Sequence, residues 1–214
     1  MTDLQPDQGE QALSRRSRAK ADRRRQLLGA AARLIAERGF HGVRLEDLGA
    51  AVGISGPAVY RHFPNKDALL DELLTDISLR LLYGGTDVAE NTADPRTALE
   101  QLVDFHLDFA LGEPDLIRVQ DRDLHSLPDE ARHRVRQAQR RYVEIWVGVL
   151  RRVDPALNET CARIAAHGTF GLINSTPYSA VSPSPDNAGG ETNGDMTRTV
   201  LRRMALAALL ADSA

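Results

Sequence analysis

The stretch from Leu45 to Asp67, LEDLGAAVGISGPAVYRHFPNKD, constrains this chain more than any other. Two short runs of apolar residues at helical spacing, separated by a glycine, describe a helix-turn-helix. Leu45, Leu48 and Val52 share one face of the first helix, and Ala50 and Ala51 are small enough to permit a close crossing. Gly53 supplies the left-handed backbone that a tight turn needs. Ile54 is expected to plug the space between the helices. Pro57 suits the first turn of the second helix, where a missing N–H costs nothing. Val59 and Phe63 pack back toward the core. Ser55, Gly56, Pro57, Ala58, Tyr60, Arg61 and His62 remain for the outside. A short helix that begins with small residues can approach base edges in a major groove. Tyr60 and His62 carry donors suited to phosphate, and Lys66 adds a positive charge in the first turn of the next helix.

The charge distribution agrees with such a head. The whole chain carries a net charge of −3, but residues 1–66 are basic and the remainder is acidic. Arg15, Arg16, Arg18, Lys20, Arg23, Arg24 and Arg25 cluster just before the first apolar helical face, which is formed by Leu27, Leu28, Ala31, Leu34 and Ile35. A basic segment beside an acidic body suits contact with a polyanion. Residues 1–20 are expected to form a disordered basic arm, 21–66 a DNA-binding domain, and 67–214 a second domain. Helix punctuation continues to the end. Gly39 stops the first helix, Asn65 caps the fourth, and Gly84-Gly85 is expected to end it. Asp94-Pro95, Glu113-Pro114 and Asp154-Pro155 read as helix starts. Residues 156–178 read as one helix, 179–195 as a loop, and about 196–211 as the last helix. No segment alternates like a strand. The fold class is all-α, with nine helices: three in the head and six in the body.

Several function classes find no support. No apolar run approaches the roughly 18 residues of a membrane helix, and no signal-peptide pattern opens the chain, so a cytoplasmic protein is expected. Cys161 is the single cysteine, which excludes an intramolecular disulfide. No nucleophile elbow, P-loop or dinucleotide glycine pattern is present. Cys161 and His167 lie on different faces of a helix, and Asp121, His125 and His133 do not complete a metal site. No enzyme activity, cofactor or metal is therefore expected.

The run from Arg38 to Leu70, and Tyr60 to Lys66 above all, resembles the tetracycline-repressor (TetR) family of bacterial regulators. The resemblance implies a homodimeric, ligand-responsive repressor of double-stranded operator DNA. It places Arg44, Tyr60, His62 and Lys66 at backbone-contacting positions, and Ser55, Gly56, Pro57 and Arg61 at or near the bases. Gly56-Pro57 stands where many relatives carry a longer polar residue, so Arg61, the arm and DNA shape would bear more of the specificity. Helix eight and the last helix would form the dimer, around Val200, Leu201, Met204 and Ala208.

The same resemblance implies a small-molecule effector held in the body. Candidate lining residues are His106, Phe109, Arg118, Gln120, Asp121, Trp146, His167, Phe170, Asn174 and Tyr178. The runs RVQDRDLHSLP and HGTFGLINSTPYSA resemble regulators of lipid and branched-chain catabolism, some of which sense acyl-coenzyme A esters. An acyl-CoA effector is the corresponding expectation.

Overall fold

The computed structural model describes residues 8–179 and 193–211. Helix α1 spans Gln8–Arg38, α2 Leu45–Ala51, α3 Gly56–Tyr60, α4 Lys66–Asn91, α5 Pro95–Gly112, α6 Pro114–Asp123, α7 Asp129–Val153, α8 Glu159–Ile173, α9 Thr176–Ser179 and α10 Asn193–Leu209. Among the described residues there is no strand. Apart from α9, which is a single turn, these are the nine helices of the expected all-α plan. No described helix is long and apolar enough to cross a membrane. Residues 1–73 and 74–214 form two compact units, and the division falls inside α4.

The first unit closes on Leu27, Ala31 and Ile35 of α1, Leu48 of α2, Val59 of α3, and Phe63, Leu69 and Leu70, all fully enclosed. Glycines at 39 and 53 adopt positive φ, 79° and 71°, where the chain turns out of α1 and between α2 and α3. The tight α2–α3 crossing depends on a different residue from the ones expected. A Cβ on Gly49 would lie 2.8 Å from the Ile54 carbonyl oxygen and 2.9 Å from Val59 Cγ2. Ala50 and Ala51 are exposed, while Val52 and Ile54 are half-buried at the edge of the core. Asn65 caps α4 as expected, its Oδ1 accepting from the Ala68 N–H at 2.7 Å.

In the second unit α5, α7, α8 and α10 pack around one core. Trp146, Leu99, Leu102 and Leu107 are enclosed there. Leu201, Ala205 and Leu209 of α10 belong to the same core, so Leu201 faces inward and not toward a partner. Val200 and Met204 are exposed, as is Ile164 of α8. The Arg152 guanidinium donates to the Ala89, Thr92 and Ala93 carbonyls at 3.0–3.3 Å, satisfying the open C-terminal end of α4.

Local signals and packing disagree in several places. Gly84-Gly85 does not stop α4. A Cβ on Gly84 would clash with Cζ at the edge of the Phe105 ring, and one on Gly85 would lie 2.5 Å from Tyr142 Cε2. The pair is a notch that admits two aromatic rings, and the helix runs through it. Asp154-Pro155 ends α7 instead of starting α8; Asp154 Oδ1 accepts from the Ala156 N–H at 2.9 Å, and Asn158 caps α8 through the Cys161 N–H at 2.9 Å. The helix expected over 156–178 breaks after Ile173, because Pro177 lacks an N–H and its ring would clash with the Ile173 carbonyl. From Gln8 onward the expected arm is helical; residues 1–7 lie outside the described residues. Of the expected loop, 180–192 also lie outside them, and α10 starts at Asn193.

The notch generates a paired prediction. Gly85→Ala should lower stability by about 1–3 kcal/mol through overpacking. Gly148→Ala, where nothing lies within 4 Å of the added Cβ, should be neutral or gain up to about 1 kcal/mol from helix propensity. Equal urea midpoints for the two variants would remove the packing role of Gly85.

Candidate nucleic-acid interface and cavity

The turn and helix from Ser55 to Arg61 form the first candidate site. Ser55 takes extended backbone (φ −70°, ψ 150°) before α3, and Pro57 occupies the first turn. Ser55, Pro57, Tyr60 and Arg61 are exposed, as is Arg44 just before α2, while Gly56 and Ala58 are half-buried. The Tyr60 hydroxyl donates to Glu46 Oε1 at 3.0 Å. That bond disfavours loss of the phenolic proton and raises its pKa. Asp47 accepts from the Arg44 N–H at 2.9 Å and fixes the start of α2.

Some of the basic residues that made this region look like a polyanion site serve the fold itself. The Lys66 ammonium donates to the Phe40 and Val43 carbonyls at 2.8 and 3.0 Å and lies 4.5 Å from the centre of the Phe40 ring. It fastens the start of α4 to the loop between α1 and α2. Arg24 grips both carboxylate oxygens of Glu72, donates to the His62 carbonyl and lies 4.3 Å over the Phe63 ring. Arg23 donates to the Val52 carbonyl at 3.2 Å. His62 is half-buried, with Nδ1 enclosed and without a hydrogen-bond partner. Burial first, then the charges of Arg24, Lys20 and Arg23, lowers its pKa. His62 therefore stays uncharged at neutral pH and is a weaker phosphate ligand than its position in the sequence suggests.

The second candidate site is a cavity of about 210 Å³. It is lined by Ser78 and Leu81 of α4, His106 and Phe109 of α5, Gln120 of α6, Gln139, Tyr142 and Val143 of α7, His167 and Phe170 of α8, and Asn174. Its inner end is aromatic. His106 lies 4.9 Å from Phe170 between ring centres, and Tyr142 stacks on Phe170 at 5.6 Å. Trp146 meets Phe170 edge-on at 4.9 Å. The Trp146 Nε1–H interacts with the Tyr142 hydroxyl without a hydrogen bond of normal geometry. His106 Nδ1 is 3.3 Å from the Tyr142 hydroxyl, and its Nε2 is 3.1 Å from Asn174 Oδ1. Burial drives the imidazole pKa down to about 4, against a smaller upward push from Asn174. Burial likewise pushes the Tyr142 phenol up. Both groups are uncharged at neutral pH.

Of the residues anticipated for a ligand, this cavity gathers His106, Phe109, Gln120, His167, Phe170 and Asn174. Trp146 supports the rings without lining the space. Arg118, Asp121 and Tyr178 assemble elsewhere. Arg118 pairs with Asp115 at 3.2 Å and donates to the Pro177 carbonyl, and Tyr178 donates to Asp121 at 3.4 Å. These contacts join α6 to α9. Burial raises the Asp121 pKa, opposed by the Tyr178 bond. Gln139 and Tyr142 were not anticipated, although with Trp146 they share one face of α7. Among the described residues, no group of three or more His, Cys, Asp or Glu side chains could hold a metal ion.

A family model described as bacterial regulatory proteins, tetR family, matches residues 27–73, and one described as the tetracyclin repressor-like C-terminal domain matches 92–178. The chain belongs to the tetR family. It is 30% identical over 132 residues to the HTH-type transcriptional repressor KstR2 of Rhodococcus jostii (strain RHA1), covering 61% of this chain and 65% of that one. The match thus spans less than two thirds of that relative. A TetR-family regulator from Bordetella parapertussis 12822 superposes with a TM-score of 0.73 at 24% identity, covering 88% of this chain and 94% of the other. AibR, in complex with isovaleryl coenzyme A and operator DNA, superposes with a TM-score of 0.66 at 19% identity, covering 85% and 97%. At these identities the likeness shows the tetR fold alone. The first match covers α2 and α3; the second covers α5–α8 and every cavity residue except Ser78 and Leu81.

Two predictions follow from the geometry. Lys66→Ala should cost the first unit about 1–3 kcal/mol, because two carbonyls lose their donor. Tyr60→Phe, which removes only an exposed pair, should stay within about 0.5 kcal/mol of the wild type; denaturant titration separates the two. For the cavity, the pH dependence has a definite sign. Between about pH 6.5 and 4 the unfolded chain takes up a proton at residue 106 that the folded chain refuses, so stability is lost as pH falls. The loss should approach about 3 kcal/mol at pH 4. Urea unfolding at pH 7.5 and 4.5 should show a shallower pH dependence for His106→Gln than for the wild type.

Proposed function

We propose that this chain is a ligand-responsive transcriptional repressor that binds a palindromic operator as a homodimer. The observation that carries the reading is the exposed set Arg44, Ser55, Pro57, Tyr60 and Arg61, held on a closed helix-turn-helix core. The small residues of α3 allow close approach to base edges, and the exposed Arg44 and Tyr60 beside it are the candidates for backbone phosphates. Arg61 is the long side chain best suited to base readout. Lys66 and His62 contribute mainly by shaping the head. The exposed apolar side chains Ile164, Val200 and Met204 support a partner surface on α8 and α10. Two heads would then read half-sites about one helical turn apart.

The cavity supports a small-molecule effector as the release signal. Its volume falls below the ~300–1,000 Å³ of a drug-sized site, which suits an acyl group better than a whole coenzyme A ester. The nucleotide portion of such an ester would remain outside. Similarity to AibR, with its isovaleryl coenzyme A, favours that class. Release requires the effector to bind one arrangement of the protein more tightly than the other.

Fluorescence-anisotropy titration against DNA from upstream of the protein's own gene, with competitor and at two salt concentrations, tests the reading. Saturable, competitor-resistant binding is expected. Arg44→Ala should weaken binding to all sequences and reduce the salt slope by about one. Arg61→Ala should relax base preference at one position, at a cost of about 1–3 kcal/mol for the preferred sequence. Binding that competitor abolishes at both salts would overturn operator recognition at this DNA. Sedimentation of Met204→Glu should show a weakened dimer if the α8–α10 surface is the interface.

A further inference from the structure

The cavity has a chemical bias that its size does not explain. Among the described residues, no Lys, Arg, Asp or Glu lines it; its polar groups are the amides Gln120, Gln139 and Asn174, the hydroxyls Ser78 and Tyr142, and two histidines. An anionic ligand group would find no countercharge there, and a buried unpaired charge is strongly disfavoured. The Ser78 hydroxyl is already committed to the Leu74 carbonyl at 2.7 Å. The remaining polar groups therefore define what the cavity can recognise.

The His106 network sets the direction of one of them. The Asn174 amide oxygen faces Nε2 at 3.1 Å and can only accept, so Nε2 carries the imidazole proton. Nδ1 is then the acceptor, and the Tyr142 hydroxyl, 3.3 Å away, must donate to it. With its oxygen committed to His106, the Asn174 side chain has its two N–H donors left. Asn174 is half-buried and lines the cavity.

We propose that the Asn174 carboxamide is the donor that reads an uncharged carbonyl of the effector, and that His106 is the positioning residue that holds this amide with its nitrogen free. The ligand class is a neutral acyl derivative, a thioester, ester or amide, and not the free carboxylic acid. This inference rests on the effector reading above and sharpens it. Phe109 and Phe170 would take the hydrocarbon part, and the carbonyl oxygen would lie at Asn174. Asn174→Asp keeps an oxygen facing His106 but replaces the remaining donor with a carboxylate oxygen, so it is nearly isosteric while it removes the donor and adds a negative charge.

The test uses the full-length protein and calorimetric titration with isovaleryl-CoA, isovaleramide and isovalerate at pH 8. Wild type should bind the first two and bind isovalerate at least tenfold more weakly. Asn174→Asp should lose about tenfold or more for isovaleryl-CoA and isovaleramide, with an unchanged circular dichroism spectrum. Nitrogen-15 NMR of the wild type should show the His106 ring protonated at Nε2 alone at pH 7. Because Asn174→Asp preserves an acceptor facing His106, the Nε2 proton should persist in the variant. Unchanged affinity in Asn174→Asp, stronger binding of isovalerate than of the amide, or an Nδ1-protonated His106 would each overturn the inference while leaving an effector cavity in place. Failure of wild type to bind any of the three probes would overturn the acyl reading and this inference together. DNA binding measured in the same preparation would show that the head is competent.

Discussion

His106 can be buried only while its ring is uncharged and both of its nitrogens are hydrogen-bonded, and the interior of the second unit is organised by that condition. Tyr142 comes from α7, 36 residues away, and Asn174 follows the end of α8, 68 residues away. Phe170 packs against the imidazole, Tyr142 and Trp146 together. A protonated ring here would be a buried cation without a counterion. The histidine is thus a neutral hydrogen-bonding joint between three helical segments, and the cavity is the space left beside it. A buried polar network of this kind is costly when half-satisfied, but it specifies one arrangement when complete.

The first unit solves a different problem. It is small, and its surface must stay rigid while presenting polar groups to solvent. Long cations do much of the fastening. Arg24 combines a two-pronged ion pair, a carbonyl contact and a ring face, while Lys66 combines two carbonyls and a ring face. Guanidinium and ammonium groups suit this work because their stems lie along apolar surface while their heads reach polar atoms. The net positive charge of residues 1–66 is therefore only partly a binding charge. The residues left to meet an anion are fewer than composition implies, and of these Arg44 and Arg61 lie exposed beside α2 and α3.

That division explains what could be read in the sequence. The helix-turn-helix was legible because its signals are local: Gly53 at the turn, Pro57 in a first turn, Asn65 as a cap, and apolar spacing in α1 and α2. The role of Gly84-Gly85 was not, since a glycine that ends a helix and a glycine that admits a ring look alike until Phe105 and Tyr142 are in place. Asp154-Pro155 failed for a related reason, as the same pair can start a helix or close one. In the cavity, aromatic and polar residues on α5 and α8 could be anticipated as a set. Arg118, Asp121 and Tyr178 lie outside the cavity's lining: the break at Pro177 moves Tyr178 off the face it would occupy on a continuous helix, and Arg118 and Asp121 of α6 contact Pro177 and Tyr178. Tyr142 lies on the apolar face of α7 with Ala138 and Val149, where a lining residue and a packed one have the same spacing.

Tyr142 joins these threads. Its ring occupies the notch made by Gly85 on α4, its hydroxyl serves His106, and its face stacks on Phe170. Any ligand that displaces Phe170 or draws on Asn174 therefore acts on a ring already pressed against α4. Ser78 and Leu81 bring α4 to the cavity wall as well. A helix with a side chain at position 85 would stand off from that ring and feel occupancy less directly. The glycine notch thus sets Tyr142 directly against α4, and the first residues of α4, from Lys66 to Leu73, belong to the first unit. Under the proposed function, an effector need not deform the core to be felt. It need only favour one placement of Tyr142 over another, which is the differential affinity that a release signal requires.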